Sequence, residues 1–255
     1  MEVRLIKLID KTQGVPMISC SFDAQTLITL TAHYRHVLLK TFSKASEYLI
    51  PEAIDEPFRR RNAQLGIEYP VYDVLSQEEE EAVTIAVKSI VNIVPEWAVY
   101  FSLPVQYKKL TKNKSMVSLT NHHIPQVIFL GDKAFKSEHW LVEVIIHETA
   151  HIWLGMLCEM DSFHDETISQ HYTLPSGTKN KDARGVIFAS HFAACTLVYY
   201  QKKNTIVKLS PEEEERFAWL KMYYSGCMEQ LMVMRELKPT GKDIVQVMGE
   251  KIRYG

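Results

Sequence analysis

Two histidines four residues apart, with a glutamate directly after the first, stand in the run "EVIIHETAHIWLG", residues 143–155. On a helix, His147 and His151 project from one face, one turn above the other. Two imidazoles so placed can hold one cation through ring nitrogens at roughly 2.0–2.1 Å. Glu148 falls about 100° further round and is better directed at a metal-bound water than at the metal itself. The alternative is a pair of core histidines at coincidental spacing. Yet two imidazoles and a carboxylate on an otherwise apolar helix each need a partner, and a hydrated metal satisfies all three. Glu143, one turn before His147, is either an acceptor for an imidazole N–H or a solvated carboxylate near the helix start.

A mononuclear site needs a third protein ligand. Metzincin-type peptidases supply a histidine shortly after a glycine. Here Gly155 stands one position late and position 157 is Leu, so that pattern fails. A glutamate on the next helix would suit the other large peptidase group, but residues 186–200, "VIFASHFAACTLVYY", contain no carboxylate. They do contain His191. An imidazole in so apolar a segment is a hydrogen-bonded core histidine or a ligand. With two ligands already in place, His191 is the expected third. His164, His171, Glu159 and Asp161 remain candidates in or beside the following loop.

The elements that must position these residues are mainly helical. Leu27, Leu30, Tyr34, Val37, Leu38 and Phe42 recur at helical spacing across 21–49, with Ser21 or Asp23 as cap and Pro51 as terminator. "SQEEEEAVTIAVKSIVNIV" is a second helix, with Ser76 and Glu79 in capping-box spacing, and Pro95 stops it. Between residues 97 and 130 the period changes. "WAVYFSL", "SMVSL" and "QVIFLG" predict three short strands of a small sheet. Ser137 then opens the motif helix, apolar nearly all round from Trp140 to Leu157 and therefore central. A polar loop runs from Asp161 to about Arg184, with "SGTKNKD" as its expected flexible point; loops of this length are more often functional than filler. A buried helix over 186–200 follows. The last long helix starts at Ser210 and Pro211 and ends before Pro239. The expected fold is α+β and predominantly helical, a helical bundle with a small β-sheet preceding the motif helix. No linker suggests a cut, so one domain over 1–255 is expected, helical in 1–96 and carrying the metal site in 97–255.

Composition narrows the partners. The 255 residues are 46% hydrophobic and 24% charged, which suits a globular core. A formal net charge of -2 leaves no global basic field, so neither nucleic acid nor an anionic membrane is expected as a partner. The start, "MEVRLIKLIDK", is too short and too interrupted by charge for a signal peptide, and no apolar run is expected to reach membrane-spanning length. Cys20, Cys158, Cys195 and Cys227 lack C-x-x-C spacing and are read as reduced thiols of a cytoplasmic protein.

The stretches "EVIIHETAHIWLGML", "HYTLP" and "ARGVIFASHFAACTLVYY" together resemble the HExxH-type family of peptide-modification proteins. In that family a Tyr/Ser-Pro element follows the motif helix. Then comes an Arg-Pro, and seven residues after that Arg a histidine on an apolar helix. Arg184 and His191 keep the interval of seven. "SLTNHHIPQVIFL" is similar to the family's strand–turn–strand, and "LKPTGKDIVQVM" to its C-terminal Leu-Thr-x-x-Gly element. The resemblance spans residues of about 115–250; the first hundred match only in being helical.

The resemblance implies a non-haem iron(II), 2-oxoglutarate-dependent peptide β-hydroxylase acting on a ribosomally made precursor peptide. Iron(II) needs three facial protein ligands, leaving positions for the bidentate 2-oxo acid and for O2. His147, His151 and His191 would be those ligands, a departure from the usual set that includes one carboxylate. Arg184 suits the distal carboxylate of 2-oxoglutarate, because a guanidinium fork pairs bidentately and keeps its charge when buried. Glu148 either orients a metal-bound water or holds a ligand imidazole. The sequence departs from the family at Gly185 (usually Pro), Leu174 (usually Ser) and Ser176 (usually Trp), all expected in the loop bordering the substrate. Two other readings stand beside this one: a zinc metallopeptidase with Glu148 as general base, and a non-catalytic relative that binds a leader or precursor peptide.

Overall fold

The computed structural model describes residues 7–112 and 115–253. The first six residues of the stretch read for a signal peptide lie outside the described residues. The chain opens with α1 (Leu8–Lys11) and α2 (Ala24–Leu39). Asp23 is the cap of α2: its Oδ1 accepts the Thr26 N–H at 2.9 Å. The helix expected across 21–49 stops at Leu39, because Lys40 takes a left-handed φ of 51°. A separate 3-10 turn covers Ala45–Leu49. Pro51 then opens α3 (Pro51–Gln64), where a missing N–H costs nothing at the first helical position.

After β1 (Tyr72–Asp73) comes α4 (Gln77–Ile93). Its expected capping box is present: the Ser76 N–H donates to Glu79 Oε2 at 3.0 Å and the Glu79 N–H to Ser76 Oγ at 3.3 Å. "WAVYFSL" is not a strand. It forms a 3-10 turn, Pro95–Trp97, and α5 (Ala98–Phe101). Pro95 begins the turn, and Trp97 and Tyr100, three residues apart, both go into the core. The strand in this region is β2 (Gln106–Leu110), which Lys108 and Lys109 disguise. With β3 (Ser118–Asn121) and β4 (Ile124–Leu130) it makes a sheet of order β1-β2-β4-β3. β2 and β4 are parallel, the other two pairs antiparallel. β4, buried at every position, is a central strand, as its near-continuous apolar run requires.

The motif helix is α6 (Glu138–Met160). Contrary to expectation, it has the length and composition of a membrane span. About four-fifths of its most apolar window (78%) is buried inside the protein, so that surface is already covered. The remaining helices are α7 (Ala183–Ile206), α8 (Pro211–Val233) and α9 (Pro239–Arg253). Ser210 and Glu213 form the capping box of α8, and Pro211 is its first residue.

The described residues form two compact units. Leu27–Glu159 is one unit. In it α3 packs on β4, so α3 and α4 belong with the sheet and α6. The other unit combines the described residues up to Thr26 with those from Met160 onward. There α7 packs along α8 and α9, and α1 rests on α9.

Candidate metal centre

Helical periodicity places His147 and His151 as expected. Their rings lie edge to face with centroids 4.4 Å apart. Both are partly exposed, whereas the residues around them on α6 are buried. Glu148 turns inward and is 2% exposed. Its Oε1 accepts a hydrogen bond from Ser118 Oγ at 2.5 Å and lies 4.0 Å from His147 Nε2. Glu148 Oε2 is buried and has no hydrogen-bond partner among the described residues. A buried carboxylate oxygen left bare carries a desolvation penalty, and a hydrated cation beside it would remove that penalty. The residues of this helix therefore fit a metal. Glu143, 4% exposed, is buried rather than solvated.

Ser118 gave no signal in the sequence, since its partner is 30 residues away. Its position comes from strand register. Ser118 stands opposite Leu130, and the Gly131 N–H donates to the Val117 carbonyl at 2.8 Å. Gly131 permits that closeness: a Cβ there would stand 2.2 Å from the Met116 carbonyl oxygen. At the far end of the β3–β4 hairpin, Asn62 of α3 donates to the His123 carbonyl at 2.6 Å. The hairpin is thus held at both ends.

Glu159, a candidate ligand in sequence, is committed elsewhere. Arg35, 1% exposed, grips it through Nε and Nη2 at 2.8 and 2.7 Å. Arg35 Nη1 also donates to Gln126 Oε1 at 2.5 Å and to the Tyr48 carbonyl at 3.1 Å. Gln126 sits in central β4 with φ of 59°, and its amide reaches the Leu49 and Pro104 carbonyls.

In the other unit, His191 is fully buried on α7. Its Nε2 donates to the Pro16 carbonyl at 2.9 Å, and Cys195 Sγ lies 3.6 Å from the same nitrogen. Burial holds its pKa down at about 4, against the lift from the Pro16 bond, so the ring is neutral with its proton on Nε2. Nδ1 keeps the lone pair. This is the hydrogen bond of a core histidine, and also the one a ligating imidazole makes through its other nitrogen.

Arg184 sits in the first turn of α7, seven residues and about two turns before His191, hence nearly on the same face. Its Nη2 lies 3.5 Å from Asp182 Oδ2. Asp182 is also the helix cap, accepting the Gly185 N–H at 2.7 Å. Gly185 therefore belongs to α7 rather than to the loop. That loop is tied down. Tyr172 and Lys181 exchange backbone hydrogen bonds of 2.7 and 3.1 Å, and Gly177 turns the chain at φ of 85° between them. Asp161 accepts from Thr240 at 2.5 Å, Tyr172 donates to Glu236, and His164 pairs in backbone with Leu237. Among these candidates His171 and Asp161 are exposed, and His164 is buried.

Among the described residues, no three His, Cys, Asp or Glu side chains are grouped to hold a metal ion. No family model matches this chain, and no curated protein matches it.

Proposed function

We propose that this chain is a non-haem iron(II), 2-oxoglutarate-dependent oxygenase that hydroxylates a ribosomally made precursor peptide at a β-carbon, in the cytoplasm. The observation that carries the metal is the pair His147 and His151 on one face of α6, beside a buried Glu148 with one bare oxygen. The resemblance of residues 115–250 carries the choice of iron and 2-oxoglutarate over other metal chemistry. Iron(II) with bound 2-oxoglutarate supplies the activation of O2. The chain's own residues do the rest. His147 and His151 bind through ring nitrogens, and Glu148 accepts a hydrogen bond from what the metal holds or from a ligand imidazole. Arg184, as carboxylate partner, and His191, as third ligand, enter from the sequence interval.

The test is incubation of anaerobically purified protein with iron(II), 2-oxoglutarate, O2 and candidate precursor peptides. A gain of one oxygen atom without cleavage, lost in His147→Ala and His151→Ala, is the expected result. Arg184→Ala raises the 2-oxoglutarate concentration required by about one to two decades, the loss of a charged hydrogen bond.

A zinc metallopeptidase is the second reading. The bare Glu148 oxygen favours it, because a general base beside a zinc-bound water needs a free carboxylate oxygen. Peptide cleavage with zinc, independent of 2-oxoglutarate and abolished by Glu148→Gln, would establish it in place of the oxygenase.

A further inference from the structure

The Glu148 carboxylate is almost wholly buried, yet among the described residues its one hydrogen bond comes from a neutral hydroxyl: Ser118 Oγ on Oε1. A carboxyl group on a three-bond stem turns freely unless something holds an oxygen. Here the hold comes from a strand rather than from α6 itself. The strand's place is set in turn by Gly131, whose missing Cβ lets the Met116–Val117 backbone close on the end of β4. The same carboxylate oxygen lies 4.0 Å from the His147 ring. One contact therefore defines which Glu148 oxygen faces the hydroxyl and which is left bare.

We infer that Ser118 is a positioning residue of the metal centre, fixing the Glu148 carboxylate by Oε1 so that Oε2 serves the metal's bound water or ligand. The inference rests on the proposed metal site. Partners one step removed from a metal are commonly worth 10- to 100-fold in its affinity, and that range is expected here. Thr keeps a hydroxyl at the same position and Ala removes it. Because Ser118 acts through Glu148, the loss on removing the hydroxyl should vanish once the carboxylate is gone.

The test uses the full chain and cobalt(II) alone as a spectroscopic stand-in, with iron(II) affinity measured in parallel under anaerobic conditions. Ser118→Ala should weaken binding 10- to 100-fold and shift the visible cobalt bands. Ser118→Thr should restore both. In a Glu148→Ala background, adding Ser118→Ala should change affinity less than twofold. Thermal unfolding of each apo protein shows that the comparison is between folded chains. Wild-type affinity and an unaltered cobalt spectrum in Ser118→Ala overturn the inference while leaving the metal site standing. Equal losses with and without Glu148 overturn it as well, since Ser118 would then act only on strand packing. A wild-type protein that binds neither cation overturns the metal site and the inference together.

Discussion

Arg35 is a guanidinium with 1% exposure, and each of its hydrogen bonds goes to a group that packing has brought to it. Breaking such a pair strands Glu159 as an uncompensated, largely buried charge. Arg35→Ala should therefore cost about 3–5 kcal/mol in urea unfolding, and pairing it with Glu159→Leu should recover part of that. A loss no larger in the single variant than in the double would show that the ion pair is not what matters there. His191 makes a different case. His191→Ala removes the donor to the Pro16 carbonyl and should lower stability by about 1–3 kcal/mol whether or not metal is present. Metal affinity of the folded variant is the separate measurement that tests ligation. Wild-type affinity would make His191 a core residue only.

Elements hold together through their ends. α8 begins at Ser210 with a reciprocal box, the Ser210 N–H on Glu213 Oε2 and the Glu213 N–H on Ser210 Oγ, while Lys203 pairs with the same carboxylate. Burial works to raise the Glu213 pKa, but the Lys203 ammonium and the Ser210 bonds outweigh it and hold the value below the ordinary 4.5. A depressed carboxylate stabilises the fold above the unfolded-state value, and that contribution is lost as pH falls through the folded-state value. The stability difference between wild type and Glu213→Gln should thus be full at neutral pH and shrink below pH 4.5, as read from urea midpoints. A difference that does not change with pH would remove the carboxylate's role. At the β4 end, Gly131→Ala puts a Cβ 2.2 Å from a carbonyl oxygen, so backbone must move. The expected cost is about 1–3 kcal/mol, and weakened cobalt(II) binding should accompany it, since the segment displaced leads into Ser118.

For the whole molecule, a metal that binds only the folded chain adds to its stability. At a hundred times its Kd the gain should be about 2.7 kcal/mol, if the unfolded chain does not bind. Denaturant unfolding with and without the cation should show that shift in wild type and none in His147→Ala with His151→Ala. Hydrogen exchange should place the added protection in α6 near His147–His151 and in β3. Protection confined to other elements would move the site. Among the described residues no disulfide joins the four cysteines, and two of them are buried, so a reductant should leave unfolding unchanged.

What could be read from the residues in order was local. The HExxH face of α6, the Ser76–Glu79 and Ser210–Glu213 boxes, Pro211 at the head of α8 and the apolar run of β4 all depend on neighbours within about four positions, where helix and strand geometry alone decide who meets whom. "WAVYFSL" misled because β-branched and aromatic residues suit a strand and a buried helical turn equally, and burial of Trp97 and Tyr100 chose the turn. β2 was hidden because its lysines break the apolar signal although the strand is paired on both sides. Only the tertiary structure brought Ser118 to Glu148 across 30 residues, Arg35 to Glu159 across 124 and Pro16 to His191 across 175. No periodicity links residues so far apart; burial does, because a polar group removed from water must find its partner wherever packing supplies one.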